Sequence, residues 1–157
     1  MRRAEKISIY QVLVRLFDNP NGTNIPNGTI RENGSGKMDA FTSQALREIR
    51  NLGCTHVWYT GIVEHATKSS FEGIPADHPA VVKGQAGSPY AIKDYYDIAP
   101  ELATDVRMRQ EEFDQLVQRT HEERLGVIMD FVPNHVSRTY RSDARPQYLS
   151  EFGEHDD

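Results

Sequence analysis

A short polar cluster directly after an apolar run is the part of the sequence best suited to chemistry. Asp130 follows the run 126–129, and Asn134 and His135 come after three intervening residues. A carboxylate accepts hydrogen bonds, an amide donates and accepts them, and an imidazole switches between the two roles. This mixture suits a ligand rich in hydroxyl groups. Composition alone favours the plainer alternative, a strand-end aspartate that accepts from backbone amides beside a surface histidine.

A segment of aromatic and acidic side chains is the second candidate. Residues 88–98 contain Tyr90, Tyr95 and Tyr96, within a stretch, 64–106, that has little regular pattern. Long connections without secondary structure of their own are usually functional or disordered, and the aromatic content favours function. Tyr95 and Tyr96 suit stacking on a ligand and packing in the interior equally well.

The remaining reactive residue types form no pattern typical of a catalytic or metal site. The sequence has no His-x-x-x-His pair, Cys–His cluster, Gly-x-Ser-x-Gly elbow or phosphate-binding loop. Cys54 follows a glycine and opens an apolar run, which predicts a small buried residue. Trp58 is expected in the core. The other histidines are expected to be structural or solvated: His56, His65, His78, His121 and His155.

The elements that must position these residues follow from the hydrophobic pattern. Strands are predicted at 7–17, 55–63 and 126–135, and helices at 42–53 and 107–125. The first strand is expected to be buried on both faces. Alternation of strands and helices predicts a parallel sheet with right-handed crossovers. Because sites in such folds lie at the carboxyl ends of strands, Tyr90 and His135 are expected to approach one crevice.

The two predicted helices have recognisable ends and faces. Thr42 or Ser43 suits the N-cap of the first helix, and Gly53 suits a left-handed stop. The residues expected on the buried faces are Ala45, Leu46, Ile49 and Leu52 in the first helix, and Phe113, Leu116, Val117 and Thr120 in the second.

Composition excludes several function classes. The net charge of -5 over 157 residues argues against nucleic-acid binding, which normally requires clustered basic residues. No stretch approaches the roughly 20 apolar residues of a membrane helix, so no membrane partner is expected. The N-terminus lacks the apolar run of a signal peptide, which leaves a cytoplasmic protein and one secreted after processing as alternatives.

Three segments, taken together, resemble the N-terminal part of the α-amylase family of glycoside hydrolases. Residues 130–135 match its first signature, Asp, three intervening residues and Asn-His, while residues 52–58 and 88–100 are similar to its helix-to-strand passage and its tyrosine loop. The resemblance implies the parallel βαβαβ portion of a (β/α)8 TIM barrel, with about three of its eight strands. It places that portion at residues 1–137, and the start of an inserted small domain or a disordered tail at 138–157.

The resemblance also implies roles for individual residues. Tyr90 matches a tyrosine that stacks on the sugar at the cleaved position, and His135 matches a histidine that hydrogen-bonds the same sugar. Asp130 matches a non-catalytic aspartate that supports the substrate site, and Asn134 a ligand of structural calcium in many members. No cofactor besides that calcium is implied. No catalytic residue is assigned, because the nucleophile and the acid/base of the retaining mechanism lie on later strands.

One departure from the family pattern concerns the end of the second helix. Arg124 stands where the family has a glycine, and a left-handed non-glycine residue costs about 1 kcal/mol or more. We therefore expect a different helix end here.

The resulting functional hypothesis is part of a retaining hydrolase or transglycosylase that acts on α-glucosidic bonds in oligosaccharides or disaccharides, such as α-glucans. The chain is expected to be inactive alone, and to self-associate or pair with a complementing C-terminal part, because three parallel strands leave two open edges. The alternative is a non-catalytic sugar-binding or structural α/β domain.

Overall fold

The computed structural model describes residues 6–150, so His155 lies outside the described residues. The strands are β1 (Ile9–Leu13), β2 (His56–Thr60), β3 (Val63–His65), β4 (Ile92–Ile98) and β5 (Gly126–Met129). The α-helices are α1 (Ile30–Asn33), α2 (Ser43–Asn51) and α3 (Arg109–Glu122). Single 3-10 turns lie at Val14–Leu16, Met38–Ala40, Pro79–Val81, Pro100–Leu102 and Val106–Met108.

The main sheet is parallel and has the order β1-β2-β5, which confirms the predicted α/β fold. Its register aligns Tyr10 with Val57, and Val57 with Val127. The strands are shorter than the apolar runs. β1 stops at Leu13 because the chain turns there into a 3-10 helix, which closes with a bond from Phe17 N to Val14 O at 3.0 Å.

The expectation that the first strand is buried on both faces is wrong. Ile9 in β1 is 47% exposed, whereas Val57 and Tyr59 in β2 are fully buried. The reason is position: among the described residues only β2 has a neighbour on each side, and β1 and β5 form the edges. The apolar character of β1 therefore does not indicate complete burial in this structure.

Helix α2 begins and ends as predicted. Thr42 Oγ1 accepts a hydrogen bond from Ala45 N at 3.2 Å, and Gly53 has a φ of 90°. Leu46 and Ile49 are buried, but Leu52 is 73% exposed. Leu52 follows the last helical residue and turns towards solvent, so its assignment to the buried stripe is wrong.

Helix α3 packs through a face that includes a carboxylate. Leu116 and Thr120 are buried as predicted, and Phe113 packs against the core with partial burial. Glu112 is also buried, because its two carboxylate oxygens accept hydrogen bonds from Thr104 N and Asp105 N, both at 2.8 Å. This glutamate connects α3 to the loop before it.

The end of α3 contradicts the expectation that Arg124, in place of a glycine, changes the helix end. Arg124 adopts a φ of 61°, so the left-handed geometry is present without glycine. Hydrogen bonds on both sides hold it: Arg124 N donates to His121 O at 2.8 Å, and Leu125 N donates to Thr120 O at 3.1 Å. The helix end is thus retained with a strained residue in it.

Residues 64–106 contain more regular structure than the sequence pattern indicates. Strands β3 and β4 pair antiparallel in a second, two-stranded sheet, which overturns the prediction of an irregular insertion. Two irregularities interrupt the pairing, and the strands bury Glu64, Asp94 and Asp97. Buried acidic residues and bulges remove the alternation of apolar and polar residues by which a strand is recognised.

The residues after β5 continue along this second sheet. Ser137 N donates to Ile92 O at 2.7 Å, and Arg141 N donates to Lys93 O at 3.0 Å. Residues 138–150 contain no helix or strand in the described part of the chain. Their assignment to an inserted domain or a tail stays a prediction.

The core lies between the main sheet and the helices, around three aromatic rings. Phe41 stacks on Phe17 with ring centroids 4.1 Å apart and meets Tyr59 edge-on at 5.0 Å. Tyr59 Oη lies 2.7 Å from Thr120 Oγ1, which satisfies the phenol, and burial raises the pKa of Tyr59 to about 12. Within the described residues no helix is long and apolar enough to cross a bilayer.

Lys37, in the loop after β1, forms hydrogen bonds with the segment that follows β4. The half-buried Lys37 donates from Nζ to Glu101 O at 2.8 Å and to Ala103 O at 2.9 Å. Burial lowers the pKa of Lys37, although the nearby charges of Glu101 and Glu112 oppose that shift. The loop after β1 is thereby tied to the segment after β4.

Candidate functional site

Asp130 joins the carboxyl ends of two neighbouring strands. It follows β5, and its Oδ1 accepts a hydrogen bond from Trp58 Nε1 in β2 at 2.7 Å. Its Oδ2 accepts from Gly61 N, just beyond β2, at 3.3 Å. Trp58 is only partly buried, so it lies less deep than the core position expected for it. The aspartate therefore fixes the geometry of the strand ends.

The loop that carries Tyr90 packs against the same strand end. Gly61 has a φ of 80°, and a Cβ there would lie 3.1 Å from Pro89 Cβ and 3.2 Å from Leu13 Cδ1. Glycine is required because a side chain would meet both neighbours in a left-handed conformation. Tyr90, the next residue after Pro89, is 44% exposed, so its ring is accessible to a ligand.

His135 and Asn134 lie in an aromatic cavity of about 770 Å³. We define the aromatic cavity by its lining residues: Tyr95, Tyr96, Phe131, Pro133, Asn134, His135, Val136, Tyr140, Arg145 and Ser150. The volume falls within the range of about 300–1,000 Å³ usual for small-molecule sites. The cavity therefore combines aromatic rings with polar groups just beyond the end of β5.

Tyr95 organises one wall of the aromatic cavity. Its hydroxyl donates to the backbone oxygen of Val132, and its ring centroid lies 5.8 Å from that of Phe131 and 5.9 Å from that of Tyr140. Tyr95 thus packs within the protein, whereas Phe131 is 76% exposed and Tyr96 is also exposed. Tyr95 and Tyr96, for which the sequence favoured neither stacking on a ligand nor interior packing, therefore have different surroundings.

The predicted site residues do not all line one cavity. His135 and Asn134 line the aromatic cavity, whereas Tyr90 and Asp130 are not among its lining residues. Asp130 and the Tyr90 loop are instead linked to each other through Gly61. The assignment of Tyr90, Asp130 and His135 to one sugar site stays a prediction.

The calcium assignment to Asn134 also stays a prediction. Asn134 is exposed, and its Oδ1 lies 2.8 Å from His135 Nδ1, which uses part of the oxygen's capacity to accept. Calcium requires six to eight oxygen ligands, so one amide cannot hold it. The donor set around Asn134 therefore supplies at most a fraction of such a site.

Four carboxylates lie close together beside β3 and β4, and sequence reasoning did not identify them as a group. Oxygens of Glu64, Asp94, Asp97 and Asp143 lie within 4.8 Å of one another. Lys93 Nζ lies 3.4 Å from Glu64 Oε1, and Arg109 makes a two-pronged ion pair with Asp97. Two cationic side chains thus offset part of the negative charge of these four carboxylates.

The charge of this acidic group changes with pH near neutrality. Burial raises the pKa of Glu64 to about 7, even though Lys93 opposes the shift. Asp94 accepts from Tyr96 N at 2.8 Å and from Asp143 N at 3.2 Å. The first of these bonds connects the acidic group to Tyr96, a lining residue of the aromatic cavity.

A buried histidine–glutamate pair is another feature that the sequence did not reveal. His65 Nε2 lies 3.2 Å from Glu101 Oε1, and both side chains are almost fully buried. Burial disfavours both charges, but each partner outweighs it: the pKa of His65 is raised and that of Glu101 is lowered. The histidine is structural, as expected, and the two residues are too far apart in sequence to suggest the pairing.

Comparison with known proteins identifies the family. The family model described as Alpha amylase, catalytic domain, matches residues 11–152. Trehalose-6-phosphate hydrolase of Bacillus subtilis is 28% identical over 137 residues, which are 87% of this chain and 18% of that protein. Maltase 1 of Drosophila virilis is 30% identical over 147 residues, which are 91% of this chain and 18% of that protein.

Solved structures agree with the sequence comparison. An α-amylase from Lactobacillus plantarum matches with a TM-score of 0.57 and 30% identity, covering 83% of this chain and 23% of that one. The chain spans about a fifth of the length of the curated relatives it matches. The parallel sheet therefore corresponds to part of the TIM barrel of these enzymes. This chain belongs to the α-amylase family of glycoside hydrolases.

Proposed function

We propose that the chain forms part of the substrate-binding wall of a retaining enzyme that acts on α-glucosidic bonds. The aromatic cavity with His135 at the end of β5 carries this proposal. Aromatic rings pack against the apolar C–H face of a sugar, and the imidazole and amide meet its hydroxyl groups. Tyr90 supplies a further exposed ring on the neighbouring loop.

The relatives support the choice of an α-glucosidic substrate. Their names include maltases and a trehalose-6-phosphate hydrolase. We infer an oligosaccharide or disaccharide substrate for the whole enzyme, and either hydrolysis or transfer as its reaction. Because a retaining mechanism requires a nucleophile and an acid/base, and the family resemblance assigns neither to this chain, we expect sugar binding without turnover.

Titration of the ¹⁵N-labelled chain with maltose tests the binding. We expect saturable shifts of the amides of Tyr96 and His135 at millimolar sugar, and weaker binding in His135→Ala. The matched control is His121→Ala, an exposed histidine in α3 that does not line the aromatic cavity. An absence of shifts at millimolar maltose, or equal binding by both variants, would overturn the proposal.

A parallel assay tests the absence of turnover. The chain is incubated with an aryl α-glucoside and release of the phenol is followed. We expect no release above buffer. Hydrolysis that Tyr90→Ala abolishes would show that this chain supplies catalytic groups of its own.

The edges of the main sheet favour a partner chain. β1 and β5 each pair with only one strand among the described residues, and Ile9 is exposed at one edge. We propose that a complementing C-terminal part, or a second copy, covers these edges. Light scattering tests this: a monodisperse monomer at micromolar concentration would contradict self-association, and failure to bind a separately produced C-terminal part would contradict complementation.

We propose calcium only as a structural ion to which Asn134 would contribute one of several oxygen ligands. Thermal unfolding with calcium and with a chelator tests it. We expect a higher midpoint with calcium and loss of that difference in Asn134→Ala. Identical midpoints under both conditions would remove calcium from the description.

A further inference from the structure

A second, smaller cavity lies between the loop after β1 and the loop after β3. We name it the loop cavity; its volume is about 200 Å³, and its walls include Arg15, Asn24, Ser69, Phe71, Gln85 and Glu101. It shares no lining residue with the aromatic cavity. The loop cavity is therefore separate from the aromatic cavity. It is bounded mainly by the connections that follow β1 and β3.

Several polar groups that line the loop cavity have unused hydrogen-bonding capacity. Within residues 6–150, the side chains of Asn24, Ser69 and Gln85 have no hydrogen bond, whereas the neighbouring Thr67 hydroxyl donates to Gln85 O at 3.1 Å. Two amides and one hydroxyl facing a cavity suit a ligand that both donates and accepts. A polyol has that property.

The charged groups at the cavity already have partners, which disfavours an anionic ligand. The Glu101 carboxylate is almost fully buried and lies beside His65. Arg15 is the cation of the cavity wall, and its guanidinium is anchored on Ala86 O and Gly87 O, each at 3.4 Å. Because the Arg15 guanidinium already donates to two backbone oxygens and Glu101 is paired with His65, a phosphate or carboxylate in the cavity would meet no unpartnered cation.

The volume and the lining of the loop cavity further restrict the class of ligand that it can bind. The volume lies below the range of about 300–1,000 Å³ that drug-sized ligands occupy, so one small ring suits it better than an oligosaccharide. Phe71 contributes an aromatic surface to a wall in which apolar side chains such as Leu16 and Ile30 are mixed with polar ones. Amides, a hydroxyl and one aromatic ring are groups that bind the hydroxyl and C–H faces of a pyranose.

We propose that the loop cavity binds a single neutral pyranose ring, as a second carbohydrate site separate from the aromatic cavity. Binding there does not depend on the proposed function of the aromatic cavity. The side chains of Asn24, Ser69 and Gln85 form hydrogen bonds with sugar hydroxyls, and Phe71 covers an apolar face of the ring.

Titration of the full ¹⁵N-labelled chain with D-glucose tests this proposal. We expect saturable shifts of the Ser69 and Gln85 amides at millimolar glucose. Ser69→Ala and Gln85→Met each remove one polar group with little change in volume, and each should weaken binding about fivefold. Gln118→Met is the matched control, because Gln118 is exposed in α3 and bonds only Glu122 within the described residues.

Two further comparisons separate the loop cavity from the alternatives. His135→Ala should leave the shifts at Ser69 and Gln85 unchanged, whereas it weakens maltose binding in the aromatic cavity. D-glucose 6-phosphate should bind the loop cavity more weakly than D-glucose. The proposal is overturned by an absence of shifts at Ser69 and Gln85, by unchanged affinity in the folded Gln85→Met variant, or by tighter binding of the phosphate.

Discussion

The indole Nε1 of Trp58 donates a hydrogen bond to Asp130 Oδ1 at 2.7 Å and so connects two residues that are 72 positions apart. The other oxygen of Asp130 accepts from Gly61 N, the residue on which the Tyr90 loop packs. One carboxylate therefore holds the end of β2, the end of β5 and, through Gly61, the approach to Tyr90.

Replacement of Asp130 by alanine should destabilise the fold by about 1–3 kcal/mol, because two donors lose a charged acceptor. Asp130→Asn retains one acceptor and should cost less. Urea denaturation measures both. Asp114→Ala, an exposed position in α3, should stay within about 0.5 kcal/mol of the parent. Equal stability of Asp130→Ala and Asp114→Ala would contradict a supporting role for Asp130.

Replacement of Arg124 by glycine should stabilise the protein. Arg124 holds a φ of 61°, a conformation that glycine adopts without the steric cost of a Cβ. After allowance for the greater entropy of unfolded glycine, the expected gain is about 0.5–1 kcal/mol. Glu122→Gly, two residues earlier in ordinary helical geometry, should instead destabilise the protein. A loss of stability in Arg124→Gly would show that the arginine side chain has a compensating contact.

Glu64 should make stability depend on pH between about 4.5 and 7. Its pKa is raised in the folded state to about 7 from an ordinary 4.5, so the folded protein binds this proton more tightly than the unfolded chain. That contribution is complete below the unfolded pKa and is lost as pH rises through the folded one, with a size on the order of 3 kcal/mol.

Urea denaturation across that pH range checks the Glu64 prediction. Glu64→Gln should flatten the decline in stability, whereas Glu48→Gln, at an exposed position in α2, should leave it unchanged. The same slope in all three proteins would assign the pH dependence to other groups.

The buried pair of His65 and Glu101 should behave as one unit. Removal of one partner leaves an uncompensated buried charge, so His65→Gln or Glu101→Gln should each cost about 3–5 kcal/mol. The double variant should cost less than the two single losses combined. Additive losses in this double-mutant cycle would contradict direct coupling.

The same pair predicts two opposite pH effects. The raised pKa of His65 gives stability that is lost as pH rises through its folded value, above the ordinary 6.5. The lowered pKa of Glu101 gives stability that is lost as pH falls through its folded value, below the ordinary 4.5. The pair therefore stabilises the parent most between about pH 4.5 and 6.5. Outside that interval the stability of the parent should decline with pH more steeply than that of the double variant, as urea denaturation would measure.

Local signals account for the parts of the fold that the sequence predicted. The cap at Thr42, the stop at Gly53 and the buried Leu46 all depend on residues within one helix. The parallel order of β1, β2 and β5 follows from alternation of strands and helices and needs no knowledge of distant contacts. The polar cluster at Asp130 was visible because it ends a short apolar run.

The features that the sequence did not reveal depend on contacts across long loops. His65 and Glu101 are separated by 35 intervening residues, and their pairing leaves no periodic trace. Strand β4 contains Asp94 and Asp97, and two acidic residues so close together in a sequence are typical of a surface loop. They are buried here because Arg109 and the backbone of Asp143, both distant in sequence, donate hydrogen bonds to them. The aromatic cavity likewise required Tyr140, which lies beyond the segment that resembled a site.

The bonds of Lys37 to two backbone oxygens have a consequence for its chemical reactivity. An ammonium held in this way cannot attack an acylating reagent until the loop after β1 separates from the segment after β4. The acylation rate of Lys37 therefore measures how often these segments part, with the exposed Lys83 as an internal standard. A sugar that closes the loop cavity, which the same loop borders, should slow that rate, so mass spectrometry of one lysine can record ligand binding as kinetic protection.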